Sequence, residues 1–133
     1  MNQAINPDGW IIGKTATGLN HLNWGIKAGN HVYVAGMLST DPVDGSLVGA
    51  GDIQVQTRRV LDSIKVVLES AGSSMDHVTM NQIFLRNLED YHAFNEIYVT
   101  YFPKLLPARF CVKLEMVKPE FLVEIASTAV IPS

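Results

Sequence analysis

The stretch PARFCVKLEMVKPEFLVEIASTAV, residues 107–130, decides the fold. It holds two alternating runs around Val117-Lys118-Pro119-Glu120, whose proline and charges read as a turn. Strand side chains alternate between faces, so Phe110, Val112, Leu114 and Met116 point one way and Arg109, Cys111, Lys113 and Glu115 the other. In the second run Leu122, Glu124, Ala126 and Thr128 alternate against Val123, Ile125, Ser127 and Ala129. A hairpin centred on Lys118-Pro119 sets Arg109 opposite Thr128, Cys111 opposite Ala126 and Lys113 opposite Glu124. On that register Arg109 and Glu124 share one sheet face.

Upstream, the period changes. Ile53, Val60, Leu61, Ile64, Val67, Leu68 and Ala71 fall on one helical stripe, with Arg58, Arg59, Asp62, Lys65 and Glu69 on the polar side. Asp52 is the expected N-cap and Gly72 the expected stop. Val78–Leu85 is apolar enough for a buried strand, and 87–102 reads as a second helix with Tyr91, Phe94, Tyr98 and Tyr101 on one face, ended by Pro103. Trp24 to Leu38 reads as a hairpin turning at Ala28-Gly29-Asn30, and the glycines of 39–51 mark a loop. Residues 1–9 read as a loose arm, and Trp10-Ile11-Ile12 as the start of a short strand interrupted by Gly13. Strand, hairpin, helix, strand, helix and hairpin in that order make an α+β domain over 1–133: a mostly antiparallel sheet with two helices on one face. The other face carries Cys111, Leu122, Ala126 and a few charges on this reading, and a second subunit is the natural cover for it.

The 133 residues are 47% hydrophobic and 17% charged, which excludes a disordered chain. Ten basic and thirteen acidic residues leave a net charge of −3, so there is no bulk positive charge for a nucleic-acid backbone. One cysteine excludes an intrachain disulfide and a cysteine zinc cluster. No basic-then-apolar leader and no membrane-length apolar run is visible, so a soluble cytoplasmic protein is expected.

His21, His31, His77 and His92 lack metal-ligand spacing, and no phosphate-cradling glycine motif or GxSxG occurs. No metal or cofactor is expected. Cys111 has nothing in sequence beside it to mark a depressed pKa and reads equally as a small core residue. The informative constellation is Arg109 with Glu124. A guanidinium held on a backbone restrained by Pro107 can grip a carboxylate by two parallel hydrogen bonds, and a glutamate on the same face can orient water. The plain alternative is a Lys113–Glu124 cross-strand ion pair with Arg109 as a solvated strand end.

In order and spacing, several pieces together resemble the YjgF/RidA family of enamine/imine deaminases. They are Ala28-Gly29-Asn30 leading to Val34-Ala35-Gly36, Asp41-Pro42, Gln56-Thr57, Ala71-Gly72, Phe94-Asn95-Glu96-Ile97-Tyr98, Pro107-Ala108-Arg109 with Cys111, and Val123-Glu124-Ile125. The resemblance runs from about Asn20 to Val130. It implies a chorismate-mutase-like fold and a homotrimer with clefts between subunits. It also implies a hydrolytic deamination of a 2-enamino or 2-imino acid to the 2-oxo acid and ammonia, without a cofactor. Arg109 would hold the substrate carboxylate and Glu124 the attacking water, while Gly36, Cys111 and Asn95 complete the pocket. The family's Gly-Pro-Tyr-Ser-Gln stretch is replaced by Asn20-His21-Leu22-Asn23-Trp24, and its Ser-Gly-Gln by Ala35-Gly36-Met37. Leu22, Trp24 and Phe110 therefore give the pocket a more apolar and aromatic wall, with Asn23 among the substrate-binding residues, suited to a larger amino-diene acid of the aminomuconate type. The same fold without chemistry, a small-carboxylate-binding or chaperone-like trimer, is the alternative. The acidic pI argues against a ribonuclease.

Overall fold

Helical periodicity becomes structure where it is strongest. In the computed structural model, which describes residues 1–11 and 21–133, the stripe forms α1, Ile53–Ser70. Asp52 caps it, its carboxylate accepting from the amides of Gln54 and Val55 that no preceding turn can satisfy. Past the last turn Gly72 has φ +86°, a left-handed conformation that favours glycine. Val60, Leu61, Ile64, Val67 and Leu68 are fully buried against the sheet.

The expected hairpin is present as β2, Gly25–Ala28, and β3, His31–Met37. The expected loose arm contains β1, Gln3–Ile5, paired antiparallel with β2. Only Ile5 of this short strand is buried, so it carries no alternation to read. The strand expected to open at Trp10 does not: Trp10 and Ile11 are irregular. They are held by an indole instead of a ladder, Trp24 Nε1 donating to the Ile11 carbonyl at 2.7 Å and the two tryptophan rings meeting edge-on. Ile12, Gly13 and Asn20 lie outside the described residues.

Val78–Leu85 forms β4. The single helix expected over 87–102 is broken into α2, Tyr91–Tyr98, between 3₁₀ turns at Leu88–Asp90 and Val99–Tyr101. β-branched Val99 and Thr100 follow α2, and the Thr100 hydroxyl donates to the Ile97 carbonyl at 2.6 Å, a local bond that competes with the helical ladder.

The terminal segment departs most from its reading. Ala108–Lys113 forms β5 and Val123–Val130 forms β6, but they are not neighbours. The sheet order is β1-β2-β3-β6-β4-β5, with β4 seated between them, antiparallel to β6 and parallel to β5. The physical reason is the β4–α2–β5 order. A strand, a helix and a strand form a crossover that returns parallel to its start, and this outranks a loosely specified turn. Mostly antiparallel still holds, with one parallel pair. Both helices cover one face, α1 packing on α2, β3 and β6.

The register assigns the faces. Ser127, Asn81 and Arg109 form one row across β6, β4 and β5, and Ile125, Ile83 and Cys111 the next, all toward the helices. Glu124 pairs with Phe84 on the other face. Cys111 is therefore on the covered face, not the open one, and the open face carries Tyr33, Phe110 and Val112, each exposed in the single chain.

Candidate active site

Arg109 enters on the edge strand β5 and lies under α2. Its guanidinium carbon is 4.8 Å from the Tyr98 ring centroid, 5.7 Å from that of Tyr91 and 5.9 Å from that of Phe94, and Nη2 donates to the Tyr91 hydroxyl at 3.1 Å. Cation–π contacts at partly exposed sites are worth about 1 kcal/mol each. They also hold the planar fork in place before any ligand arrives. A cleft of about 320 Å³ opens beside it, lined by Asn95, Tyr98, Val99, Leu106, Pro107 and Arg109. Asn95 lines this cleft, and its Oδ1 is buried without a hydrogen-bond partner.

Tyr98 is fully buried, and its hydroxyl accepts from Asn81 Nδ2 at 2.9 Å; Asn81 Oδ1 accepts from Ser127 at 2.6 Å. Burial raises the Tyr98 pKa, with Asn81 and Arg109 opposing. Burial also raises Cys111, against the pull of Arg109, so its thiol is favoured over a nucleophilic thiolate.

Glu124 stands elsewhere. It is half-buried on the open face of β6, and desolvation raises its pKa above the ordinary 4.5. Gly36 lies directly beside it: a Cβ at that position would meet the Glu124 carboxylate. The strand there is irregular, the β3–β6 register shifting between Val34 and Met37, and the Trp24 carbonyl accepts from Ala35 N–H, which brings the 22–24 segment to the same end. Gln56, fully buried in α1, donates to the Gly49 and Glu120 carbonyls and accepts from Leu122 N–H. It thereby clamps the chain as it enters β6.

The candidate residues thus form two groups. Arg109, Cys111 and Asn95 belong to the helix-covered face at the β5 edge. Gly36 and Glu124 belong to the open face, as does Phe110 on β5; Leu22, Asn23 and Trp24 immediately precede β2, Trp24 packing against Trp10 and the core. Arg109 and Glu124 sit on opposite faces of one sheet, so the shared face expected from the hairpin is overturned. Lys113 pairs with Leu85 and not with Glu124, which removes the expected ion pair. Among the described residues the salt bridges are His92–Glu96 and Lys104–Asp76, and no group of histidine, cysteine or acidic side chains could hold a metal. Reading by residue type missed Tyr98, Asn81 and Ser127. The usable signal was Asn81, an amide in the middle of an apolar strand.

A family model described as Endoribonuclease L-PSP matches residues 14–131. The chain belongs to the Endoribonuclease L-PSP family. Within that family it is similar to the 3-aminoacrylate deaminase RutC of Acinetobacter baylyi, at 50% identity over 103 residues, 77% of this chain and 81% of the relative. Of solved structures, it is similar to the Rid-family protein YyfA of Yersinia pestis, with TM-score 0.86 at 29% identity over 98% of this chain and all of that one (100%). The E. coli YjgF gene product, 22% identical, shares the fold at TM-score 0.84 over 98% of this chain and 99% of that one. The YjgF/RidA resemblance read from the sequence is therefore correct.

Proposed function

We propose that this L-PSP family member is an enamine/imine deaminase, a single-domain hydrolase that converts a small enamino or imino carboxylic acid to the oxo acid and ammonia. The observation that carries this is Arg109, a guanidinium preset on aromatic rings at the mouth of a cleft, together with a relative at 50% identity named a deaminase. Arg109 holds the substrate carboxylate. The enamine takes a proton at carbon and becomes an iminium. Water adds to the iminium carbon and gives up a proton. The carbon–nitrogen bond then breaks, ammonia leaves and the carbonyl forms. The iminium is already electrophilic, so the chain's residues need only orient the partners and move protons. Glu124 holds the water and takes its proton. Asn95, in the cleft wall, orients the groups that meet the substrate. Phe110 and Leu22 supply apolar wall for a larger amino-diene acid.

Arg109 and Glu124 sit on opposite faces of one subunit's sheet, which supports a working cleft between subunits of a homotrimer. Phe110 and Val112, 43% and 44% exposed in the single chain, are part of the surface that association covers. No helix of the described residues is long and apolar enough to cross a membrane, and a cytoplasmic location fits a reactive intracellular metabolite. The direct assay generates imino acids in place with an amino-acid oxidase and follows ammonia release above the uncatalysed background. 3-Aminoacrylate is run beside them, because its nitrogen is one carbon further from the carboxylate. Acceleration of at least one substrate is expected; none at any chain length would leave only a carboxylate-binding module.

Gly36→Ala tests the open-face group by itself. The nearest atoms to the new Cβ belong to the flexible end of Glu124, so the fold yields by moving that carboxylate. The melting temperature should hold within a few degrees, and turnover should fall about tenfold or more as the base is displaced. Unchanged turnover would separate Gly36 and Glu124 from the site.

A further inference from the structure

On the helix-facing side of β3, β6 and β4 the buried residues are apolar except for two in one row. Ser127, Asn81 and Arg109 stand side by side on β6, β4 and β5, and the first two are buried at 4% and 0% exposure. Apolar residues occupy the next row, Ile125 and Ile83. A buried amide and hydroxyl in such a setting stabilise little by themselves, because each must recover the hydrogen bonds it made with water. Here they recover them only along one line, Ser127 to Asn81 to the Tyr98 hydroxyl. That line ends on the ring nearest the Arg109 guanidinium. The flanking rings, Phe94 and Phe102, hold Tyr98 from the sides at 5.5 Å and 4.9 Å between centroids. They do not fix how far it reaches toward β4, which the Asn81 bond does.

We propose that Asn81 and Ser127 are positioning residues for Arg109: through the Tyr98 hydroxyl they fix the ring on which the guanidinium lies, and so the direction in which its fork meets a carboxylate. Neither residue touches the substrate. In its kinetic consequences this rests on the deaminase function above; in its structural consequence, the order of one arginine side chain, it does not.

Two variants break the line from different ends. Tyr98→Phe removes only the hydroxyl and keeps the ring in its aromatic packing. Asn81→Leu replaces the amide at similar volume. The first readout is the Arg109 Nε–H signal in ¹⁵N-resolved NMR of the ligand-free protein, assigned by its disappearance in Arg109→Lys. It should be ordered in the wild type and lose order in both variants, with Nε–H exchange about tenfold faster. The second is kinetic: KM for the carboxylate substrate should rise about tenfold with kcat within about twofold, the pattern of a binding group that has lost its aim. The double variant should be no worse than the worse single one, since cutting a line twice is the same as cutting it once. A merely structural network would lower the melting temperature and leave the arginine signal and KM where they were, and that result overturns the proposal. So does full additivity of the two variants. If the wild type releases no ammonia, the deaminase function fails, while the arginine signal still decides this proposal.

Discussion

Glu124→Gln should lower kcat by about 100-fold or more while binding of a small oxo acid is nearly kept. The amide matches the carboxylate in size and can still hold a water, but it cannot take the proton that water must lose. Loss of kcat without loss of binding marks an interaction made in the transition state. The pH dependence carries the same signature. Burial raises Glu124 above 4.5, so the activity of the wild type should climb along an acid limb centred above that value, and the limb should be absent in the variant. A carboxyl with a raised folded pKa binds its proton more firmly folded than unfolded, so its contribution weakens the fold as pH rises from the ordinary value through the raised one. Glutamine removes that slope, and the variant should lose less stability than the wild type over the same interval. Unchanged kcat and an unchanged acid limb would exclude Glu124 as the base.

Arg109→Lys should reduce kcat/KM at least tenfold, a loss of about 1.4 kcal/mol or more of transition-state stabilisation. Lysine keeps the charge and loses the planar fork, the two-point grip on a carboxylate and the stacking on Tyr98. It also loses the bond from Nη2 to the Tyr91 hydroxyl. The fold should persist, because Arg109 lies on an edge strand and is only partly buried. Kinetics equal to the wild type would remove Arg109 from the site.

Local patterns in this chain were legible and one long-range pairing was not. The α1 stripe, its Asp52 cap and its Gly72 stop follow from spacing and backbone chemistry confined to a few turns. The inward set of β6, Val123, Ile125, Ser127 and Ala129, follows from alternation. Which strand lies beside β6 does not, because alternation is the same whether its neighbour is β5 or β4. The choice is made by the crossover of α2, and a one-strand insertion moved Arg109 to the face opposite Glu124. Arg109 and Glu124 stood out by type and Gly36 and Asn95 by resemblance, yet the division of these candidates between two faces was hidden in topology. The Tyr98–Asn81–Ser127 line was hidden more deeply, since it depends on three elements meeting at one buried point.

In the proposed mechanism the two groups act together only when different copies of the chain supply them. Mixed oligomers test it. Chains carrying Arg109→Ala and chains carrying Glu124→Gln are each nearly inactive alone, and are unfolded and refolded together in equal amounts. In a random trimer, about a quarter of the clefts receive an intact Arg109 from one kind of chain and an intact Glu124 from the other. The mixture should therefore recover about a quarter of wild-type turnover, at a solution mass near that of three chains by light scattering. A mixture no more active than the mean of its two parents, with mixed trimers demonstrated by mass, would contradict the shared cleft.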